Sequence, residues 1–182
     1  MTDLLDFFTS RVQSQYFSGF PIYQSAEGAF YGEYMKIRLF SRFDELGDGQ
    51  ALASLVGLTA LGTPIEPATL YRLSPTSQSA AVLDRFIRSI HLLNFLQQPT
   101  RYQPLYLGVS SALIDEVHGE HGRTFRDILQ RLDLDGHPFG IVLPDELAAA
   151  PARRRQIAAN YRRHGFLVAV YDAAGGIAPL AE

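Results

Sequence analysis

The apolar positions of the chain change periodicity several times along its first half. Near the N-terminus they recur at helical spacing, which predicts an amphipathic helix over residues 3–17. A short apolar segment at 20–23 and a longer one at 30–39 surround turn residues, so together they predict a β-hairpin. Residues 41–77 are punctuated by Gly, Asp, Pro and Ser, and predict a long connection with one short helix near 51–61.

In the second half, predicted helices and strands alternate. Helices are predicted at 80–96, 124–132 and 151–164, and strands at 105–109, 139–143 and 166–171. The last of these strands is apolar throughout, which is typical of a buried parallel strand. Strands that alternate with helices indicate an α/β layer or barrel architecture.

Length and composition narrow the class of protein. A chain of 182 residues predicts one domain, residues 1–182, with a core of its own. The formal net charge of -3 argues against nucleic-acid binding as the main role. The chain has no cysteine, which excludes disulfides and suits a reducing compartment. Its N-terminus is acidic where a signal peptide is basic, and no apolar run approaches the roughly 20 residues that span a bilayer. We therefore expect a cytoplasmic protein without membrane contact.

Two polar clusters invite a functional interpretation. The segment EVHGEHG at 116–122 contains two histidines, but its glycines interrupt any helix that would hold them as metal ligands. We expect a solvated loop there. Basic residues cluster at 153–155 and 162–164, and we expect a solvated helix face, because the net charge is negative.

Four segments carry a resemblance to a known family. They are FPIYQSAEGAFYGEYMKIR, the LDRF phrase at 83–86, LYLGVSSALI and HGFLVAVYDAAGG. In this order they resemble four phrases of the EAL domain, the bacterial cyclic-di-GMP phosphodiesterase module. The resemblance implies an α/β fold of the TIM-like (β/α) barrel type, with its first strand antiparallel to the rest. It also implies a barrel that is incomplete at its C-terminal end, because the family's last strands have no counterpart after Gly176.

The resemblance implies a lost metal site. In the family, two divalent metals activate water for phosphodiester hydrolysis, and three of their ligand positions fall on Tyr34, Gly108 and Tyr171. A phenol is neutral near pH 7 and glycine has no side chain, so these positions hold no metal pair. Glu33 could substitute only through a β-bulge, because successive strand residues point to opposite faces. We therefore expect no catalytic residue, no metal and no cofactor.

The sequence also suggests a cationic site. On a single strand over 30–39, Tyr34, Lys36 and Arg38 share the face that points into the family's ligand cleft, with Asp172 nearby. Two cations and a phenol could hold a phosphate without metal. The alternative is that Lys36 and Arg38 pair with Asp172 or with nearby glutamates.

Three functions follow as expectations. The first is a catalytically inactive EAL-like domain that acts in cyclic-di-GMP signalling as a regulatory or protein-interaction module. A barrel without its last strands has open edges, so residues 166–171 or the first hairpin would contact a protein partner or form a homodimer. The second is a non-hydrolysing sensor that binds cyclic-di-GMP or another nucleotide phosphate through Arg38 and Lys36. The third, and least favoured, is an active phosphodiesterase.

Overall fold

The structure is a computed structural model that describes residues 4–17, 19–98 and 104–181. Its strands are β1 Ile22–Gln24, β2 Phe30–Tyr34, β3 Ile37–Gly47, β4 Gln50–Leu58, β5 Pro64–Ile65, β6 Leu105–Gly108, β7 Phe139–Leu143, β8 Leu167–Tyr171 and β9 Ile177–Pro179. Its α-helices are α1 Leu4–Phe8, α2 Ser14–Tyr16, α3 Pro67–Arg72, α4 Ser77–Leu96, α5 Ser111–Glu116, α6 Arg123–Arg131 and α7 Pro151–Arg163. A π-helical turn, Thr9–Gln13, joins α1 to α2, and a 3₁₀ turn, Asp145–Ala149, precedes α7.

All strands belong to one sheet with the order β1-β2-β3-β4-β6-β7-β8-β9, and β5 pairs with β4 beside this path. Strands β1 to β4 form an antiparallel meander, whereas β4, β6, β7 and β8 run parallel to one another. Strand β9 returns antiparallel to β8. The α/β class is thus confirmed. Within the described residues the sheet is open, with β1 and β9 at its ends, and is not a closed barrel.

One face of the sheet is covered by helices. The parallel strands follow one another in chain order, and right-handed crossovers then place their connecting helices on the same face. Apolar residues of α4, α6 and α7 and of the strands accordingly form one large core. Helix α4, which begins at a capping box of Thr76 and Ser79, lies close against β2. A Cβ at Gly32 would stand 2.5 Å from the Phe86 ring, so only glycine permits this approach.

The opposite side is here called the open face, and none of the described helices contributes a residue to its apolar cluster. A small apolar cluster lies there, formed by Leu52, Tyr106, Val142 and Ala169. The ring of Tyr106 lies across the neighbouring strand, since a Cβ at Gly140 would be only 2.2 Å from it. The open face therefore has an apolar centre.

The predicted elements of the second half are confirmed, with boundaries shifted by at most three residues. The predicted helix at 3–17 is helical over residues 4–16, and residue 3 lies outside the described residues. The prediction of a long connection over 41–77 is wrong, because β3 and β4 form a long hairpin there, and the segment at 51–61 is mostly strand. Its cluster of Gly and Asp is the turn of this hairpin, where Gly47, Asp48 and Gly49 have positive φ.

The prediction of one strand over 30–39 is also wrong. The first hairpin, β1 with β2, is confirmed, but the chain reverses again at Met35 and Lys36. These two residues have φ of 50° and 63°, as in a two-residue type I′ turn. The sequence Met-Lys lacks the Asn-Gly signal of such a turn, so local pattern did not reveal it.

Candidate functional site

Tyr34, the first of the predicted cleft residues, lies on the helix-covered side of the sheet. It pairs in register with the buried Ile37. Its ring stacks on Phe20 with centroids 5.8 Å apart, and its hydroxyl lies 3.0 Å from Ser74 Oγ. Tyr34 therefore packs at the edge of the core and does not face the open side of the sheet.

Arg38 and Lys36 occupy different surroundings. Arg38 stands opposite Glu33 in the ladder, on the open face, whereas Lys36 is exposed in the hairpin turn. Neither side chain makes an ion pair with another described residue. The prediction that Tyr34, Lys36 and Arg38 share one face is thus wrong. The turn reverses the chain between them, so the alternation of faces along a single strand does not apply.

Asp172 is separate from the other three. It begins the turn between β8 and β9, four strand positions from β3 in the sheet order. Its Oδ1 accepts hydrogen bonds from the backbone N–H groups of Ala174 and Gly176, at 2.8 and 2.9 Å. The carboxylate therefore shapes its own turn, and the four predicted site residues do not form one cluster.

Two of the positions that resemble metal-ligand positions contact each other. The Tyr171 hydroxyl oxygen would lie 3.0 Å from a Cβ placed on Gly108. A longer side chain at residue 108, such as asparagine, would collide with Tyr171 in this arrangement. Burial raises the pKa of Tyr171, and the Asp145 carboxylate raises it further, so the phenol stays neutral at pH 7. The absence of a side chain at Gly108 thus leaves room for the Tyr171 phenol.

Asp84 of the LDRF phrase forms a buried ion pair with Arg88, one helical turn further along α4. Asp84 and Arg88 are 1% and 2% exposed, and Asp84 Oδ2 accepts from Arg88 Nε at 3.0 Å. Asp84 Oδ1 accepts from the backbone N–H of Ser110 at 2.7 Å and, at 3.4 Å, from the Tyr71 hydroxyl. Burial and the neighbouring Asp84 raise the pKa of Tyr71. This network joins α4 to α3 and to the end of β6.

A cleft of about 490 Å³ opens beside this network. Strand β4 pairs with β6 only over Ala51–Ala53, and with β5 only at Gly57 and Leu58. Between these ladders, residues 54–56 have a strand partner on the β3 side alone. The sheet therefore splits between β4 and β6, at the carboxyl ends of the parallel strands, where ligand sites of open α/β sheets commonly lie.

Side chains from both faces of the sheet line the cleft, because the gap between β4 and β6 passes through the whole thickness of the sheet. The polar residues that line it are Arg42, Ser54, Glu66, Tyr71, His91, Ser110 and Tyr171. Arg42 is already bound to Asp44 by two contacts, at 2.8 and 3.2 Å. The remaining lining is mainly apolar and includes Val56, Ile87 and Val109.

His91 is the functional candidate that sequence reasoning missed. It lies on α4, is 3% exposed, and its Nδ1 stands 2.8 Å from Ser41 Oγ. Burial and the nearby Arg88 lower the pKa of His91 to about 3, so the imidazole is neutral at pH 7. One sequence signal could have revealed it. His91 and Asn94 are polar residues three positions apart in the apolar part of the helix predicted at 80–96, so both were candidates for buried polar groups.

The EVHGEHG segment is not solvated throughout, since Val117 packs against the main core. His118 is exposed, as a solvated loop requires, but His121 is 6% exposed. Its Nε2 lies 3.2 Å from the Ile114 carbonyl oxygen, and burial lowers its pKa. The prediction of a wholly solvated loop is therefore wrong for His121, which packs against the Tyr161 ring.

Among residues 4–17, 19–98 and 104–181, no three His, Asp or Glu side chains stand close enough together to hold a metal ion. Within the same ranges, no helix has the length and apolar character needed to cross a membrane. Profiles of known protein families give no match to this chain, and neither do the sequences of curated proteins.

Proposed function

We propose that this chain is a catalytically inactive EAL-like domain that regulates cyclic-di-GMP signalling in the bacterial cytoplasm through protein contacts. On this proposal, the open sheet corresponds to the first part of an EAL-type barrel whose first strand is antiparallel. The packing of Tyr171 over Gly108 supports it most directly. Two positions that would bring oxygen ligands to a metal pair carry instead a neutral phenol and a bare backbone.

The proposed contact surface is the open face, and the proposed partner is a second copy of the chain. Strand β8 is paired on both sides, by β7 and β9, so residues 166–171 are not the open edge that was expected. Their side chains still offer apolar area, since Leu167 and Tyr171 are 48% and 37% exposed beside the apolar cluster. Two such faces are self-complementary in an isologous dimer, and apolar contact drives their association.

Two measurements on the purified chain test this proposal. With cyclic-di-GMP and Mg²⁺ or Mn²⁺ we expect no hydrolysis, and light scattering should give the mass of a dimer. Leu167→Glu should shift the mass to that of a monomer, because it places a charge in the apolar contact. Leu61→Glu is the matched control, since Leu61 is 95% exposed in the turn between β4 and β5. Metal-dependent turnover, or a wild-type monomer at every concentration, would contradict the proposal.

A second candidate function is a sensor that binds cyclic-di-GMP without hydrolysis. It is favoured by one observation: Arg38 and Lys36 have no ion-pair partner among the described residues, so their charges remain available to a phosphate. Calorimetry without metal should then show binding, and Arg38→Ala should weaken it by about ten-fold or more. Arg72→Ala is the control. No heat of binding to the wild-type chain would exclude the sensor.

A further inference from the structure

We propose that the cleft between β4 and β6 is a binding site for an uncharged small molecule that accepts a hydrogen bond from His91 Nε2. The accepting atom of such a ligand would be a heteroaromatic nitrogen or a carbonyl oxygen. The cleft shares Tyr171 with the proposed dimer face, but Leu167, Arg38 and Lys36 do not line it. It goes beyond the proposed function and can fail independently of it.

The hydrogen bonds around Ser41 favour one of the two neutral tautomers of His91. Asn94 Oδ1 accepts from the backbone N–H of Phe30 at 2.8 Å, so Asn94 Nδ2 is the donor side of this amide. That nitrogen shares its two hydrogens among three acceptors, which are the carbonyl oxygens of Phe30 and Ile90, at 2.8 and 3.1 Å, and Ser41 Oγ at 3.1 Å. It therefore accepts no hydrogen bond from Ser41. Among the described residues, His91 Nδ1 is then the acceptor left for the Ser41 hydroxyl hydrogen. With Nδ1 accepting, the proton of the neutral imidazole resides on Nε2.

The Nε2 donor faces the cleft. His91 is almost completely buried and lines the cavity, and its Nε2 makes no hydrogen bond with a described residue. The Ser41 contact holds the ring in place from the other side. Among the described residues, the side-chain atoms that are fully buried without a hydrogen bond do not include His91 Nε2. This nitrogen therefore has access to the cleft, where a ligand acceptor would receive its hydrogen bond. The arrangement thus points to a preorganised donor aimed into a cavity.

The rest of the lining favours a ligand without net charge. Arg42 is the cation of the cleft, and Asp44 already neutralises it through two contacts. Glu66 stands exposed at the cleft and opposes an anion. A neutral imidazole donor adds no positive charge. Apolar side chains complete the walls, and the volume of about 490 Å³ is within the range of small-molecule sites, about 300–1,000 Å³.

Nuclear magnetic resonance on ¹⁵N-labelled protein at pH 8 tests the proposal with two probes of the same shape. 4-Methylpyridine carries one ring nitrogen as acceptor, and toluene carries none. We expect the free protein to show the Nε2–H tautomer of His91. The Nε2 resonance should move on titration with 4-methylpyridine, and this probe should bind more tightly than toluene. A His91 that carries its proton on Nδ1, or a resonance that neither probe moves, would overturn the proposal.

Two variants separate the hydrogen bond from the cavity. His91→Phe keeps an aromatic ring but has no donor, so the preference for 4-methylpyridine over toluene should fall by about five-fold. Val56→Phe adds bulk to another wall of the cleft and leaves the hydrogen bonds of Ser41 unchanged. It should therefore weaken the binding of both probes to the same extent. The second variant keeps the test decisive if the first does not fold. An unchanged preference in His91→Phe, or unchanged binding in Val56→Phe, would contradict the site.

Discussion

His91 is the residue whose surroundings depart most from what its type suggests. Histidine usually titrates near neutral pH, but burial and Arg88 hold the pKa of His91 at about 3. The ring is buried, which keeps it neutral, and it lies at the wall of the cleft. One residue thus couples the polarity of the cleft to the stability of the fold.

The lowered pKa of His91 predicts how stability depends on pH. The unfolded histidine binds a proton below about pH 6.5, whereas the folded one does so only near pH 3. His91 therefore leaves stability intact above pH 6.5 and lowers it as the pH falls towards 3. Between pH 7 and 5 we expect a loss of about 2 kcal/mol from this residue. The free energy of unfolding in urea at both pH values measures it.

His91→Phe is the control for this pH dependence. The variant should lose about 2 kcal/mol less than the wild-type chain between pH 7 and 5, because it has no proton to bind at that position. His121, whose pKa is also lowered, remains in both proteins and contributes equally. An identical pH dependence in the two proteins would show that His91 titrates normally in the folded state.

At the scale of elements, the turn at Met35 and Lys36 is the main departure from the expected structure. Both residues adopt left-handed backbone conformations, which cost L-residues roughly 1–2 kcal/mol each. The turn persists because the strands on either side are held elsewhere: β2 packs against α4, and β3 pairs along β4. Tertiary contacts therefore override an unfavourable local sequence.

The double substitution Met35→Asn with Lys36→Gly tests this turn. Asn-Gly suits a type I′ turn, so we expect the free energy of unfolding to rise by about 1 kcal/mol. If residues 30–39 formed one strand instead, the same change would lower stability, because Asn and Gly are poor strand residues. Urea denaturation distinguishes the two outcomes. Met35→Ala with Lys36→Ala is the control, and it should give no comparable gain because alanine does not favour the left-handed conformation.

At the scale of the whole molecule, a buried ion pair on α4 makes contacts with α3, with the segment after β6 and with α6. Asp84 on α4 accepts from the end of β6 and from Tyr71 of α3, while Arg88 lies over the Phe125 ring of α6 with its guanidinium carbon 4.5 Å from the ring centroid. The charges are separated from water, so each depends on the other. The helical layer and the cleft wall therefore share one polar support.

Replacing Asp84 by asparagine should lower the free energy of unfolding by about 3 kcal/mol or more, because Arg88 loses its anion while it remains buried. Urea denaturation at pH 7 measures the loss. Asp115→Asn is the matched control, since the Asp115 to Arg153 pair is largely exposed. It should change stability by no more than about 1 kcal/mol. Equal effects of the two substitutions would mean that the buried pair contributes no more than a surface one.

The sequence by itself determined the α/β class, the first hairpin and every helix and strand predicted after residue 80. These elements depend on local periodicity, which is visible along the chain. It also determined which residue types stand at positions such as Gly108 and Tyr171, and hence the expectation of an inactive domain. The predictions for residues 30–77 were wrong for two reasons. The turn at Met35 and Lys36 has no local sequence signal, and the glycines near residue 48 form the turn of a hairpin instead of a long loop.

Only the tertiary structure decided the candidate site. Tyr34 and Arg38 lie on opposite faces because of a turn that neighbouring elements hold in place. The cleft exists because β4 leaves β6 after a three-residue ladder, and no local pattern encodes where two distant strands separate. The ring of His91 is oriented by its contact with Ser41, a residue fifty positions earlier in the chain. Contacts between residues far apart in sequence arise from packing, and local periodicity carries no record of them.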